Sequence, residues 1–207
     1  SVYVETTVVS YLTAKPSSDL QIAGHQKSTR ELWPRLLSDY TTYVSALVYR
    51  EAARGDQDQA TKRQEAIRPF LTLATTDEAQ ALADSIVTGK GIPSECPEDA
   101  LHVALASVNG GEVIVTWNFA HLNNPFTRMK VRQLVEKAGY ECPEICSPEE
   151  LLGTHLLLAV GKLRRRDSLG ELLHHLVRLT ISPPEQVQAK VVPVLPERGP
   201  RRAGRSR

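Results

Sequence analysis

Short apolar, β-branched runs alternate with longer stretches of helical periodicity over the first 153 residues of this 207-residue chain. "SVYVE" alternates and is rich in valine, so it reads as a first strand. From Leu20 to Asp39 the spacing of Ile22, Leu32, Leu36 and Leu37 predicts a helix, which Pro34 should kink or split because it lacks an amide hydrogen. "TTYVSAL" has the β-branched character of a second strand. It leads into the helix "LVYREAARGD", for which Gly55 supplies a stop signal. "DQDQATKRQEAIRPFL" predicts a further helix and "FLTLAT" a short strand. "TDEAQALADSIVTGKG" is helical, with Thr76 as N-cap and Gly89 near its end. "PEDALHVALASVNGG" is the clearest helix, with Leu101, Leu105 and Val108 on one face. "EVIVTW" is a continuous apolar strand of the kind covered on both sides. "PFTRMKVRQLVEKAGY" then predicts a helix, and "EICSPEELLG" a short strand with a capped helix.

Strands alternating with helices argue for an α/β domain whose parallel sheet is covered by helices on both faces. In such sheets ligands sit beyond the carboxyl ends of the strands. Polar groups stand where helices leave strands: Glu5 in "YVETT", Glu51 in "LVYREAARGD", Asp99 in "PEDALHVALA" and Asn118 in "VTWNFAHL". Taken singly, Glu5 reads as a strand-end charge, Glu51 as a solvated helix residue beside Arg50 and Arg54, and Asp99 as a carboxylate at a helix start. Taken together they read differently. Two carboxylates about 4 Å apart repel by roughly 4 kcal/mol at an effective dielectric near 20, so three that converge need a cation or protons. Hard oxygen donors suit Mg²⁺ or Mn²⁺.

Composition changes the picture in two places. The three cysteines, Cys96, Cys142 and Cys146, argue against a disulfide framework and for a reducing cytoplasm. The Cys142-x3-Cys146 spacing lacks a second ligand pair, so all three read as structural thiols. No stretch of eighteen apolar residues occurs and the amino end lacks a signal-peptide layout, so no membrane span is expected. Net charge is +1, yet residues up to Thr154 carry 14 Lys and Arg against 20 Asp and Glu, while those from His155 onward carry 11 against 4. The division expected is an acidic domain over 1–153 and a basic extension over 154–207, partly helical and ending in the non-folding "GPRRAGRSR". That extension either grips a polyanionic partner, folds back as a basic arm onto the acidic domain, or is a solvated tail; the last is the simplest reading.

The series "YVETT", "VSALVYREAARGD", "DALHVALA", "VTWNFAHL" and "CSPEELLG", in this order and spacing, resembles the PIN domain, and within it the VapC-like bacterial branch whose first motif carries Glu. The resemblance covers residues 2 to about 153 and says nothing of the extension. It implies a three-layer α/β/α sandwich with a central parallel sheet, and a Mg²⁺- or Mn²⁺-dependent endoribonuclease. It further implies a cytoplasmic toxin that forms a homodimer, acts on RNA and pairs with a protein antitoxin. Glu5, Glu51 and Asp99 match the metal-binding acids of the family. Asn118 matches the position of a fourth acid, with a carbonyl oxygen that can still coordinate. Thr6, Ser45 and Thr116 become donors that orient the carboxylates. His102, three residues after Asp99, either packs structurally or reaches the site or a phosphate. His121, Trp33 and Trp117 read as structural or core residues. Two rivals stay open. One is a catalytically weak PIN scaffold that binds RNA or a partner protein. The other is a phosphatase, for which "VETTV" lacks the D-x-D stretch.

Overall fold

The computed structural model describes residues 1–154; the extension from 155 to 207 lies outside the described residues, and with it the expectations for an amphipathic and a basic segment. The strands are β1 (Val2–Val4), β2 (Thr42–Ser45), β3 (Leu71–Leu73), β4 (Val113–Val115) and β5 (Glu144–Cys146). They form an all-parallel five-stranded sheet in the order β3-β2-β1-β4-β5. Tyr3 is paired with Tyr43 on one side and Ile114 on the other. The helices are α1 (Thr6–Thr13), α2 (Leu20–Ser38), α3 (Ala46–Ala52), α4 (Gln57–Ile67), α5 (Asp77–Thr88), α6 (Pro97–Val108) and α7 (Pro125–Lys137), and a last helical segment runs over 148–154 at the end of the described residues.

The strand order decides where the helices go. From β1 the chain steps one way through β2 to β3, then jumps back to β4 and continues to β5. Right-handed crossovers therefore place α1–α4 on one face and α5–α7 on the other. Contacts agree, since α1 packs on α2, α3 and α4 while α5 packs on α6 and α7. This is the expected three-layer α/β/α sandwich. The direction of winding reverses between β1 and β4, and the crevice at their carboxyl ends is where such folds bind ligands.

Val2, Tyr3, Val4, Val44, Ile114, Val115 and Ile145 are all buried in the sheet, and α6 is buried from Ala100 through Ser107. α6 is thus enclosed nearly all round, where the sequence predicted burial of one face. Trp117 is core as expected, and Trp33 packs half-buried against Phe70.

Four local expectations are corrected. First, the sequence predicted no helix between Glu5 and Leu20, yet α1 begins directly after Glu5. "TTVVSYLT" has β-branched propensity, but the Glu5 side chain caps the Thr7 amide and burial of Val8 and Val9 overrides that preference. Second, α2 runs unbroken through Pro34. Proline removes one donor, while Thr29, Leu32 and Leu36 bury on both sides of it and hold the helix together. Third, Ile22 and Leu37, expected on the buried stripe of α2, are exposed. Fourth, the second strand stops at Ser45, whose hydroxyl accepts the Val48 amide at 3.3 Å and starts α3 earlier than the apolar run suggests.

The expected punctuation holds elsewhere. Gly55 sits at φ +86° after α3, a conformation that suits glycine. Gly89 ends α5 where Leu134 packs too close for a side chain. After β5, Ser147 and Glu150 form a reciprocal capping box: the Glu150 carboxylate accepts the Ser147 amide at 2.7 Å and the Ser147 hydroxyl the Glu150 amide at 3.1 Å.

One buried polar contact ties the two halves of the site face together. The Trp117 indole N–H donates to the Thr29 hydroxyl at 2.8 Å, and that hydroxyl donates to the His25 carbonyl at 2.7 Å. Replacing Thr29→Val leaves the indole donor unpaired in a dry environment, with an expected loss of about 1–3 kcal/mol. Urea denaturation followed by circular dichroism measures it; a loss below the error of the extrapolation removes this contact from the account.

Candidate active site at the carboxyl edge of the sheet

Glu5 follows β1 directly and is only 4 % exposed. Its backbone amide donates to the Val115 carbonyl at 3.1 Å, which fixes its start on β4. Its Oε1 accepts the Thr7 amide at 3.0 Å, and its Oε2 accepts the hydroxyls of Thr7 and of Thr116, the latter at 2.7 Å. The direction of each bond is determined by its far end. The Trp117 amide donates to the Thr7 hydroxyl at 2.9 Å and the Asn118 amide to the Thr116 hydroxyl at 2.9 Å. Each hydroxyl therefore accepts from the backbone and gives its own proton to Glu5. Glu5 sits as an acceptor held by two backbone-anchored threonines.

Glu51 comes from the last turn of α3. Its Oε2 accepts the Thr6 hydroxyl at 2.5 Å and lies 3.0 Å from His102 Nε2. On its other side, His102 Nδ1 is 2.8 Å from the Tyr3 hydroxyl, which lies 2.7 Å from the Ser45 hydroxyl. His102 is 1 % exposed and belongs to α6. Burial works against a charged imidazole here, but the bond to Glu51 and the negative charges of Glu5, Glu51 and Asp99 outweigh it, so the His102 pKa stands above 6.5. Burial likewise pushes Glu51 up, and the bond and charge of His102 with the Thr6 hydroxyl bring it below its ordinary value. Both shifts describe one buried ion pair.

Asp99 lies in the first turn of α6. Burial raises its pKa, helped by the charge of Glu5 and opposed by the Asn118 amide and His102. Asn118 Nδ2 donates to Asp99 Oδ1 at 3.0 Å, while Asn118 Oδ1 accepts the His121 amide at 3.0 Å. Asn118 thus shows Asp99 its donor end, with its carbonyl oxygen engaged in the turn.

The predicted residues converge, with a difference in detail. Ligand atoms of Glu5, Glu51 and His102 lie within 4.8 Å of one another, whereas Asp99 falls into a second such group with Cys96 and His121. The two groups adjoin, since the charges of Glu5 and His102 act on Asp99. Thr6 donates to Glu51 and Thr116 to Glu5. Ser45 does not touch a carboxylate and acts on Tyr3. Tyr3 and Thr7 were missed. Thr7 carried a visible signal, a second hydroxyl two residues past Glu5, where it caps its own turn. Tyr3 carried none, because an apolar strand position conceals a phenol that turns to a neighbouring helix.

The oxygens left over fit a hard divalent cation. Glu51 Oε1 and Asp99 Oδ2 have no hydrogen-bond donor among the described residues, and Glu5 Oε1 has one. Buried or half-buried carboxylates with unused oxygens are the donor set that Mg²⁺ and Mn²⁺ take, together with water.

No family model matches the chain. No curated protein is similar to it. VapBC2 from Rickettsia felis, in a crystal structure bound to a DNA fragment from their promoter, aligns over 71 % of this chain and 98 % of its own, with a TM-score of 0.46 and 13 % identity. Among the described residues, no helix is long and apolar enough to cross a membrane.

The ion pair makes a pH prediction. A group whose pKa is raised by folding stabilises fully below its unfolded value of about 6.5 and loses that contribution as pH rises through the folded value. In metal-free protein, the His102 Cε1 proton should titrate above 6.5 by NMR, and in Glu51→Gln it should titrate below, where burial dominates. An unchanged titration in Glu51→Gln would remove Glu51 as the cause.

Proposed function

We propose that this chain is a metal-dependent ribonuclease of the PIN type. One observation carries the reading: Glu5 and Glu51, from two different elements, meet at the reversal point of a parallel sheet beside Asp99 with oxygens unused. Glu5, Glu51 and Asp99 would hold Mg²⁺ or Mn²⁺, with Asn118 keeping Asp99 in place. The ion supplies the chemistry, activation of a water and stabilisation of the leaving 3′-oxygen in hydrolysis of a phosphodiester.

The chain's own groups prepare that site. Thr7 and Thr116 fix Glu5 through backbone amides, so its carboxylate has no freedom to turn away. Thr6 and His102 both engage Glu51 Oε2, which leaves Oε1 for the ion. His102 holds its proton at Nε2 against Glu51 and supplies positive charge to the acids. The likeness of the motifs to VapC proteins extends the proposal to a toxin whose activity a protein antitoxin restrains.

A second reading has one observation behind it. His102 already compensates Glu51, and Asn118 is neutral where an acid is common, which suits a scaffold that binds RNA without cutting it.

Cleavage of structured RNA by the purified chain separates the two. Cleavage should require Mn²⁺ or Mg²⁺ and stop with EDTA. It should fall by at least the order of 100-fold in Glu5→Gln and Asp99→Asn, and by roughly 10- to 100-fold in Thr116→Val. RNA binding without cleavage, unchanged in Asp99→Asn, selects the scaffold; cleavage that survives EDTA sinks the metal-dependent reading.

A further inference from the structure

The second group of ligand atoms is unlike the first in kind. Cys96 Sγ, a carboxylate oxygen of Asp99 and a ring nitrogen of His121 lie within 4.8 Å of one another, and all three residues are half-exposed. A thiol, an imidazole and a carboxylate form a borderline-soft set, which suits zinc and not magnesium. Bonds of about 2.0 Å to nitrogen and oxygen and 2.3 Å to sulfur put tetrahedral ligands roughly 3.3–3.7 Å apart, so small side-chain rotations close the gap.

The local structure leaves these groups available. Cys96 occupies the N-cap position of α6, where a serine or aspartate would normally bond the first amides, yet its side chain makes no capping bond. Its thiol is free of any disulfide, as the sequence suggests, and is only half-buried. His121 is placed by its backbone amide on Asn118 Oδ1, and its ring has no hydrogen-bond partner among the described residues. The same asparagine thus fixes the turn that carries His121 and holds Asp99 at 3.0 Å.

We propose that Cys96, Asp99 and His121 form a zinc site that shares Asp99 with the neighbouring acidic cluster. Zinc binds the thiolate, so the Cys96 proton leaves to solvent, and three protein ligands leave a fourth position for water. The consequence for the nuclease rests on the function proposed above: zinc at this site withdraws Asp99 from the magnesium or manganese ion, and the two metals antagonise each other.

Cobalt(II) reports the site directly, since a thiolate ligand gives it a near-ultraviolet charge-transfer band. The full 207-residue chain should show that band on titration with Co²⁺ and lose it to Zn²⁺. Cys96→Ser should abolish it and His121→Ala should weaken cobalt binding by more than the roughly tenfold that loss of an outer-shell partner costs. Cys142→Ser and Glu5→Gln should keep it. No band, a band that persists in Cys96→Ser, or one that depends on Cys142 overturns the site. The sharing of Asp99 is read by Mn²⁺ paramagnetic resonance: one equivalent of Zn²⁺ should release bound Mn²⁺ from the natural chain and not from Cys96→Ser. Mn²⁺ retained in both overturns the sharing. A chain that binds no Mn²⁺ refutes the nuclease reading instead, while the cobalt band still decides the zinc site.

Discussion

Burial of negative charge at one edge of the sheet is the constraint on which this structure depends. Glu5, Glu51 and Asp99 leave water in part or almost wholly, and two ionised carboxylates brought to about 4 Å would repel by roughly 4 kcal/mol at an effective dielectric near 20. Compensation comes from hydroxyls anchored on backbone amides and from an imidazole inside the domain. Every one of those partners belongs to a different element from the acid it serves or to the first turn beyond it. The fold cannot shift a layer without leaving a carboxylate exposed to its neighbours' charge. Here the site and the stability of the fold are one problem.

The topology explains why the acids meet at all. β1 and β4 are neighbours in space and over a hundred residues apart in sequence, and the chain reverses its winding between them. Glu5 leaves one strand and Thr116 the other, so their bond closes across the crevice. Glu51 arrives from the layer that covers the first half of the sheet, and Asp99 with His102 from the layer that covers the second. Neither covering layer alone carries all three acids.

How much of this was legible varies with the type of residue. The alternation of apolar runs with helical periodicity was enough for the parallel sheet and its covering layers, since burial imposes those periods directly. Glu5, Glu51, Asp99 and Asn118 stood out as polar groups where helices leave strands, and only their joint pattern set them apart from ordinary strand-end and helix charges; Thr116 came with the resemblance to the PIN domain. α1 was hidden because β-branched residues favour a strand until a cap and a buried face outweigh them. Tyr3 and the orientation of Ser45 were hidden for another reason. A side chain's partner across 42 or 99 positions is decided by register and helix placement, which no local pattern records.

The file Ser45–Tyr3–His102–Glu51 has one further property. Two of its links, Ser45–Tyr3 and Tyr3–His102, can hold their protons in either of two senses. With imidazolium, His102 donates to Tyr3 and Tyr3 turns its proton to Ser45; with neutral imidazole that keeps its Nε2 proton, both hydroxyls swing the other way. Only hydrogens rotate, and the heavy atoms stay put. The interior can therefore change its charge by one unit without repacking, so the carboxylates beside it feel a different field inside an unchanged frame.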